Sequence, residues 1–184
     1  MRHCDRLAIL LAISSIFIVR LVTIQIYGGI PHIEDETAYI WQAQAAARNQ
    51  LTISSPSCPE CFLVPFVVDY HGERFGKYPP GWPAVLSLAI RLNIRSWINP
   101  LLAGLSIWLT YRLLSRLAGK ITALLAALLT LSSPFFLLNA GTLLAHIWSF
   151  FLTLAFILAW FDLTKPKDNL PRWMPILLAG FSLG

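Results

Sequence analysis

Polar and apolar positions in this chain are segregated over long stretches. The first apolar run, 7–27, is long enough to cross a bilayer, and further runs cover 97–117, 121–138 and 147–161. Another begins near Trp173 and occupies 173–184. The pattern predicts an all-α, polytopic membrane protein.

The segment 28–96 between the first two runs is polar by comparison. Gly28-Gly29-Ile30-Pro31 ends the first helix. A short alanine-rich helix is expected over 35–49, capped by Asp35 or Glu34 and carrying Tyr39 and Trp41. Residues 51–72, with prolines at 56, 59 and 65, read as irregular. Pro79-Pro80-Gly81-Trp82-Pro83 then opens a second short helix over 82–92, because proline is tolerated in a first turn. The nine residues from Trp82 to Ile90 rise only ~14 Å, so this helix is expected to lie on the membrane.

Composition agrees with that picture. Hydrophobic residues make up 57% of the chain and charged residues 12%, about half the charged share of a soluble protein, which excludes a soluble domain. The net charge of +5 is therefore an orientation signal and gives no reason to expect a nucleic-acid partner. With helix 82–92 on the surface, eight basic residues (Arg2, Arg6, Arg112, Arg116, Lys120, Lys165, Lys167, Arg172) share one face. Five (Arg48, Arg74, Lys77, Arg91, Arg95) take the other. Lysine and arginine accumulate on the cytoplasmic side. The expected topology has a cytoplasmic N-terminus in the inner membrane, with 28–96 as a large first extracytoplasmic loop.

The run after Arg6 has no small-x-small cleavage site beyond Val19, and Arg20 interrupts it, so it reads as an uncleaved signal anchor. Arg20 itself is expected to snorkel outward or to pair with a loop carboxylate. The segment from Trp173 has only a dozen residues, too few to span. The whole of 1–184 is thus expected to be the N-terminal part of a larger enzyme, inactive by itself.

Six of the nine acidic residues lie in 28–96, three of them as Glu34-Asp35-Glu36, so the chemistry is expected there. Near a helix N-terminus the backbone favours an ionised carboxylate, the state that a base or a ligand of a divalent cation needs. The plainer alternative is a set of helix caps facing water. In the segment His71–Pro83, prolines stiffen the chain while Arg74 and Lys77 place positive charge at headgroup depth, suiting an anionic lipid phosphate. The alternative there is an interfacial anchor with Trp82 in the aromatic belt. His146, at the start of a helix, is a weaker candidate. Cys58-Pro59-Glu60-Cys61 reads as a local loop disulfide, since one pair cannot complete a tetrahedral zinc site; Cys4 is left as a reduced thiol.

An acidic pair after the first membrane helix is followed by Lys77-Tyr78-Pro79-Pro80-Gly81-Trp82-Pro83. Ser133-Pro134-Phe135-Phe136 then leads to Gly141-Thr142 and His146. This order resembles the GT-C membrane glycosyltransferases, above all the relatives of protein O-mannosyltransferases and of lipid A aminoarabinose transferases. The resemblance implies two juxtamembrane helices in the first outer loop. It implies a hexosyl- or pentosyltransferase that moves a sugar, with inversion, from a polyprenyl-phosphate donor. The acceptor would be a hydroxyl or amine on a glycan, lipid or protein at the outer face.

By the same resemblance Asp35 matches the loop acid that serves as base or acceptor-positioning group, with Glu36 beside it. Lys77 matches the lysine that holds the donor phosphate, with Arg74 as a second cation, and Tyr78 and His146 fall near the substrate. The chain departs from the pattern twice. Where many members carry a second acid between the third and fourth helices, it has Asn139, Thr142 and His146. Where the aminoarabinose enzymes have a glutamate before the lysine, it has Gly76. A divalent metal is compatible with the resemblance, and the sequence names no ligands for one. The rival from another class is a transporter or lipid flippase, which would show broken helices and polar groups near the midplane.

Overall fold

The computed structural model describes residues 2–164 and 173–183. It is mostly helical. In chain order the helices are α1 (Arg2–Gln25), α2 (Glu34–Ala47), α3 (Gly81–Arg91), α4 (Ile98–Leu117), α5 (Lys120–Ser132), α6 (Pro134–Gly141), α7 (His146–Thr164) and α8 (Trp173–Leu183). Lys165, Lys167 and Arg172, counted above for orientation, lie outside the described residues.

α1 and α7 are each long and apolar enough to cross a membrane, and α5 with α6 makes a third span if the bent pair is taken as one. α4 is flanked by α1, α5 and α7. Its Asn99, Ser106, Thr110 and Tyr111 are buried, so these polar side chains face protein. Small residues let the helices approach closely: Ala8 and Ser15 on α1, Ala103 and Gly104 on α4, and Ala123 and Ala127 on α5. A Cβ added at Gly104 would stand 2.8 Å from the Ala12 carbonyl oxygen and 2.5 Å from Ile16 Cγ1, so the α1–α4 crossing requires glycine there. At one end of this bundle, Asp5 of α1 accepts from the Tyr111 hydroxyl at 2.6 Å and pairs with Lys120 at 2.5 Å.

The run expected as one helix over 121–138 is two. α5 stops at Ser132 and α6 leaves at 60° to it. Pro134 lacks an N–H and drives the preceding residue out of helical geometry. Ser133 accordingly sits at φ −71°, ψ 119°, and its hydroxyl caps α6 by accepting from the Phe136 N–H. The thirteen residues of α5 rise only ~20 Å, so α5 alone does not cross.

α2 and α3 pack against each other at the opposite end from Asp5. Arg91 of α3 joins them, donating to the carbonyls of Ala46 and Ala47, where a cation complements the C-terminal end of α2. Residues 51–72 are not irregular throughout. Strands β1 (Ile53–Ser54), β2 (Val67–Tyr70) and β3 (Glu73–Gly76) form an antiparallel sheet in the order β1-β3-β2. His71 and Gly72, both at positive φ (49° and 80°), make the two-residue hairpin turn between β2 and β3. Cys58 and Cys61 are joined by a disulfide within this loop. Arg20 meets no carboxylate among the described residues: it lies 5.0 Å over the Trp97 ring and donates to the Ser96 carbonyl.

Candidate active site

α2 begins one residue before Asp35. Its N-cap is Ile33, without a side-chain cap bond, so Glu34, Asp35 and Glu36 fill the first helical turn instead of capping it. The backbone dipole favours negative charge there. Successive helical residues point about 100° apart, so the three acids face three directions. Glu34 is exposed, Asp35 is half-buried, and Glu36 is 1% exposed.

Asp35 faces the segment that opens α3. The Tyr78 hydroxyl donates to Asp35 Oδ1. Burial, then the hydrogen bond and the charge of Asp35, push the Tyr78 phenol up to about 12, so it stays a donor. Tyr39, one turn along α2, lies 4.6 Å from the Tyr78 ring, and its phenol is raised by burial and by Asp35. Lys77 is exposed, with its ammonium 3.6 Å from the centre of the Phe66 ring and 5.1 Å from that of Tyr78. Phe66 is itself held in left-handed geometry, φ 57°, while its carbonyl accepts the Lys77 N–H at 3.0 Å. A bulky residue keeps that conformation only where its surroundings enforce it. One carboxylate and one ammonium thus flank a single tyrosine ring at an open surface.

The packing also explains Gly76. A Cβ there would collide with the Gln42 side chain, which is pinned by its own hydrogen bond to the Tyr78 carbonyl at 2.9 Å. A glutamate before Lys77 does not fit this loop.

Arg74 is not at this surface. It is 5% exposed, and its guanidinium forks onto Asp69 at 2.8 and 2.7 Å while also donating to the carbonyls of Phe62 and Pro59. The pair holds Asp69 below the usual carboxylate range and raises Arg74. Four of its five N–H groups brace the Cys58–Cys61 turn against the sheet, a structural engagement at the residue expected as a second phosphate-binding cation. The signal was in the sequence: Asp69 and Arg74 flank His71-Gly72 and are direct cross-strand partners.

Glu36 turns inward, where its Oε2 accepts the Leu143 N–H at 3.3 Å. The same short connection between α6 and α7 receives the Trp82 indole N–H on the Leu143 carbonyl, at 2.9 Å. It also receives the Asn99 amide on the carbonyls of Thr142 and Leu144. Trp82, Asn99, Phe66 and Tyr39 are contributors that sequence reasoning did not single out for these roles. His146, the exposed first residue of α7, instead lines a groove of about 630 Å³ with Asn139, Ser133, Phe136 and Phe150. None of Asp35, Lys77 and Tyr78 lines it.

Glu36 and Asp35 point apart, and among the described residues no three His, Cys, Asp or Glu side chains converge as a cation cage.

The model of the family "Oligosaccharyl transferase STT3, N-terminal" matches residues 82–184, from the first turn of α3 onward. No curated protein and no solved structure matches. The match covers Asn99, Asn139, Leu143 and His146 but starts after Asp35 and Lys77, and so does not bear on those two. It supports the GT-C level of the resemblance. With more than half of its length matched, the chain belongs to the STT3 oligosaccharyl transferase family of GT-C membrane glycosyltransferases.

Proposed function

We propose that this protein transfers a sugar or oligosaccharide from a polyprenyl-phosphate donor to a hydroxyl or amine at the outer face of the cytoplasmic membrane, with inversion. The family's name favours a lipid-linked glycan as donor and a protein as acceptor. The observation that carries the reading is Asp35, half-buried and bonded by Tyr78, whose ring also lies 5.1 Å from the ammonium of Lys77. The acceptor O–H or N–H approaches Asp35 Oδ2 and gives its proton to the carboxylate as its oxygen or nitrogen bonds to C1. The C1–O bond breaks on the opposite side, and its electron pair leaves with the phosphate, which Lys77 stabilises. A cation held beside the departing phosphate stabilises the negative charge that develops there. Orientation follows from the basic residues: Arg112, Arg116 and Lys120 lie toward the Asp5 end, which is cytoplasmic in this reading.

A transporter or flippase is the second reading, and the 60° break between α5 and α6 is the feature that favours it. The family match and the gathering of polar groups at the α2–α3 end weigh against it. Membranes carrying the full-length protein should convert a synthetic tritium-labelled polyprenyl-phosphate hexose to labelled glycoconjugate. Movement of the intact donor across vesicles with no transfer would favour the transporter.

A further inference from the structure

The connection 142–145 leaves one helix and enters the next, so its backbone groups have no ladder to join and each needs another partner. At Leu143 both groups end on distant side chains, the N–H on Glu36 and the carbonyl on Trp82. Asn99 takes the carbonyls on either side. At the start of the connection a Cβ on Gly141 would press on Val22 and Tyr27, so the backbone lies directly on α1 and the residues just after it. The void beside Glu36 holds only about 10 Å³, bounded by Thr23, Tyr27, Arg95, Ser96 and Gly141. That is room for about one water and not for a sugar hydroxyl with its ring. Glu36 Oε1 is buried there without a well-formed hydrogen bond among the described residues, the His32 backbone N–H lying near the same carboxylate.

A base must come within hydrogen-bond reach of the proton it takes, and the void beside Glu36 has room for about one water. We infer that Glu36 is a positioning residue: by holding the Leu143 N–H it fixes the α6–α7 connection, and so the place of His146 and its groove, relative to Asp35. The inference rests on the reading of Asp35 and Lys77 as the reaction site. Burial also raises the Glu36 carboxyl, against opposing contributions from Leu143 and His32, as expected of a group kept from solvent.

Glu36→Gln keeps an acceptor for Leu143, whereas Glu36→Ala removes it. In the full-length protein in detergent, transfer from the labelled polyprenyl-phosphate hexose and hydrogen exchange of the peptide spanning 142–146 should be measured together. Glu36→Gln should transfer within about threefold of wild type with exchange unchanged, since the hydrogen bond survives. Glu36→Ala should lose on the order of 10- to 100-fold in transfer, the scale of a displaced site, and exchange faster at 142–146. If Glu36→Gln is as inactive as Glu36→Ala while protection stays intact, Glu36 takes part in the chemistry and the inference is wrong. Unchanged exchange in Glu36→Ala would overturn it as well. The exchange readout does not depend on where the reaction occurs, so it stands even if Asp35 proves not to be the base.

Discussion

The two sides of the first turn of α2 have opposite characters. On one side Asp35, Tyr78 and Lys77 form an open surface, with an exposed ammonium resting on aromatic rings. On the other, Glu36 is closed in, and the groups around it come from α1, α4, the start of α3 and the 142–145 connection. Two adjacent acids of similar chemistry therefore do different work. The open one can meet a substrate, whereas the closed one holds backbone. The same division separates the cations Lys77 and Arg74, three residues apart, with Arg74 spent on Asp69 and two carbonyls. Neighbours in sequence share a site only if the local structure points them the same way.

Substitutions on the two sides should therefore fail in different assays. Among the cations, the larger effect is expected at Lys77. Lys77→Ala should weaken both donor binding and turnover, together by roughly 10²-fold, because the phosphate is charged before and after transfer. Lys77→Arg should rescue only part, a planar guanidinium being a poor substitute for a compact ammonium over Phe66. Wild-type donor affinity in Lys77→Ala would erase the distinction between the two cations.

A smaller and different effect is expected at Arg74. Arg74→Met should lower the melting temperature of the purified protein by several degrees, because it strands Asp69 and two carbonyls. The folded fraction should keep its donor affinity. A selective loss of donor binding at unchanged stability would return Arg74 to the site.

The smallest effect concerns pH. Burial raises the Glu36 carboxyl above its ordinary value, with His32 and Leu143 opposing and Tyr27 and Arg95 facing the same void. Where the unfolded chain has lost that proton and the folded chain retains it, folding takes up a proton, so stability falls as pH rises from the ordinary glutamate range to the raised value. Glu36→Gln should remove that fall. Thermal melts across pH 4 to 8 should show the variant gaining on wild type toward neutral pH and matching it in acid; a variant that loses ground as pH rises contradicts the burial argument.

Much of the fold was legible because lipid-facing helices write themselves as long apolar runs. Three features were legible in principle and misjudged. Pro134 breaks a run that composition alone joins. His71-Gly72 marks a hairpin inside a stretch read as irregular. Asp69 and Arg74 flank that turn in register. The separation of Glu36 from Asp35 had no such signal, because its partner Leu143 is 107 residues away and engages through backbone. The platform under Lys77 was hidden similarly, since a left-handed phenylalanine leaves no mark in the sequence.

The central claim is that the open acid does chemistry and the closed one does not. Asp35→Asn keeps the shape and the acceptor for Tyr78 while removing charge and proton-accepting capacity. The decisive measurement is the transfer rate of Asp35→Asn in the full-length protein at saturating donor. A fall of roughly 10²-fold or more, the scale of general-base loss, with donor affinity and folding retained, is the predicted result. Transfer at the wild-type rate would mean that Asp35 merely lines the first turn of α2, and it would contradict the account.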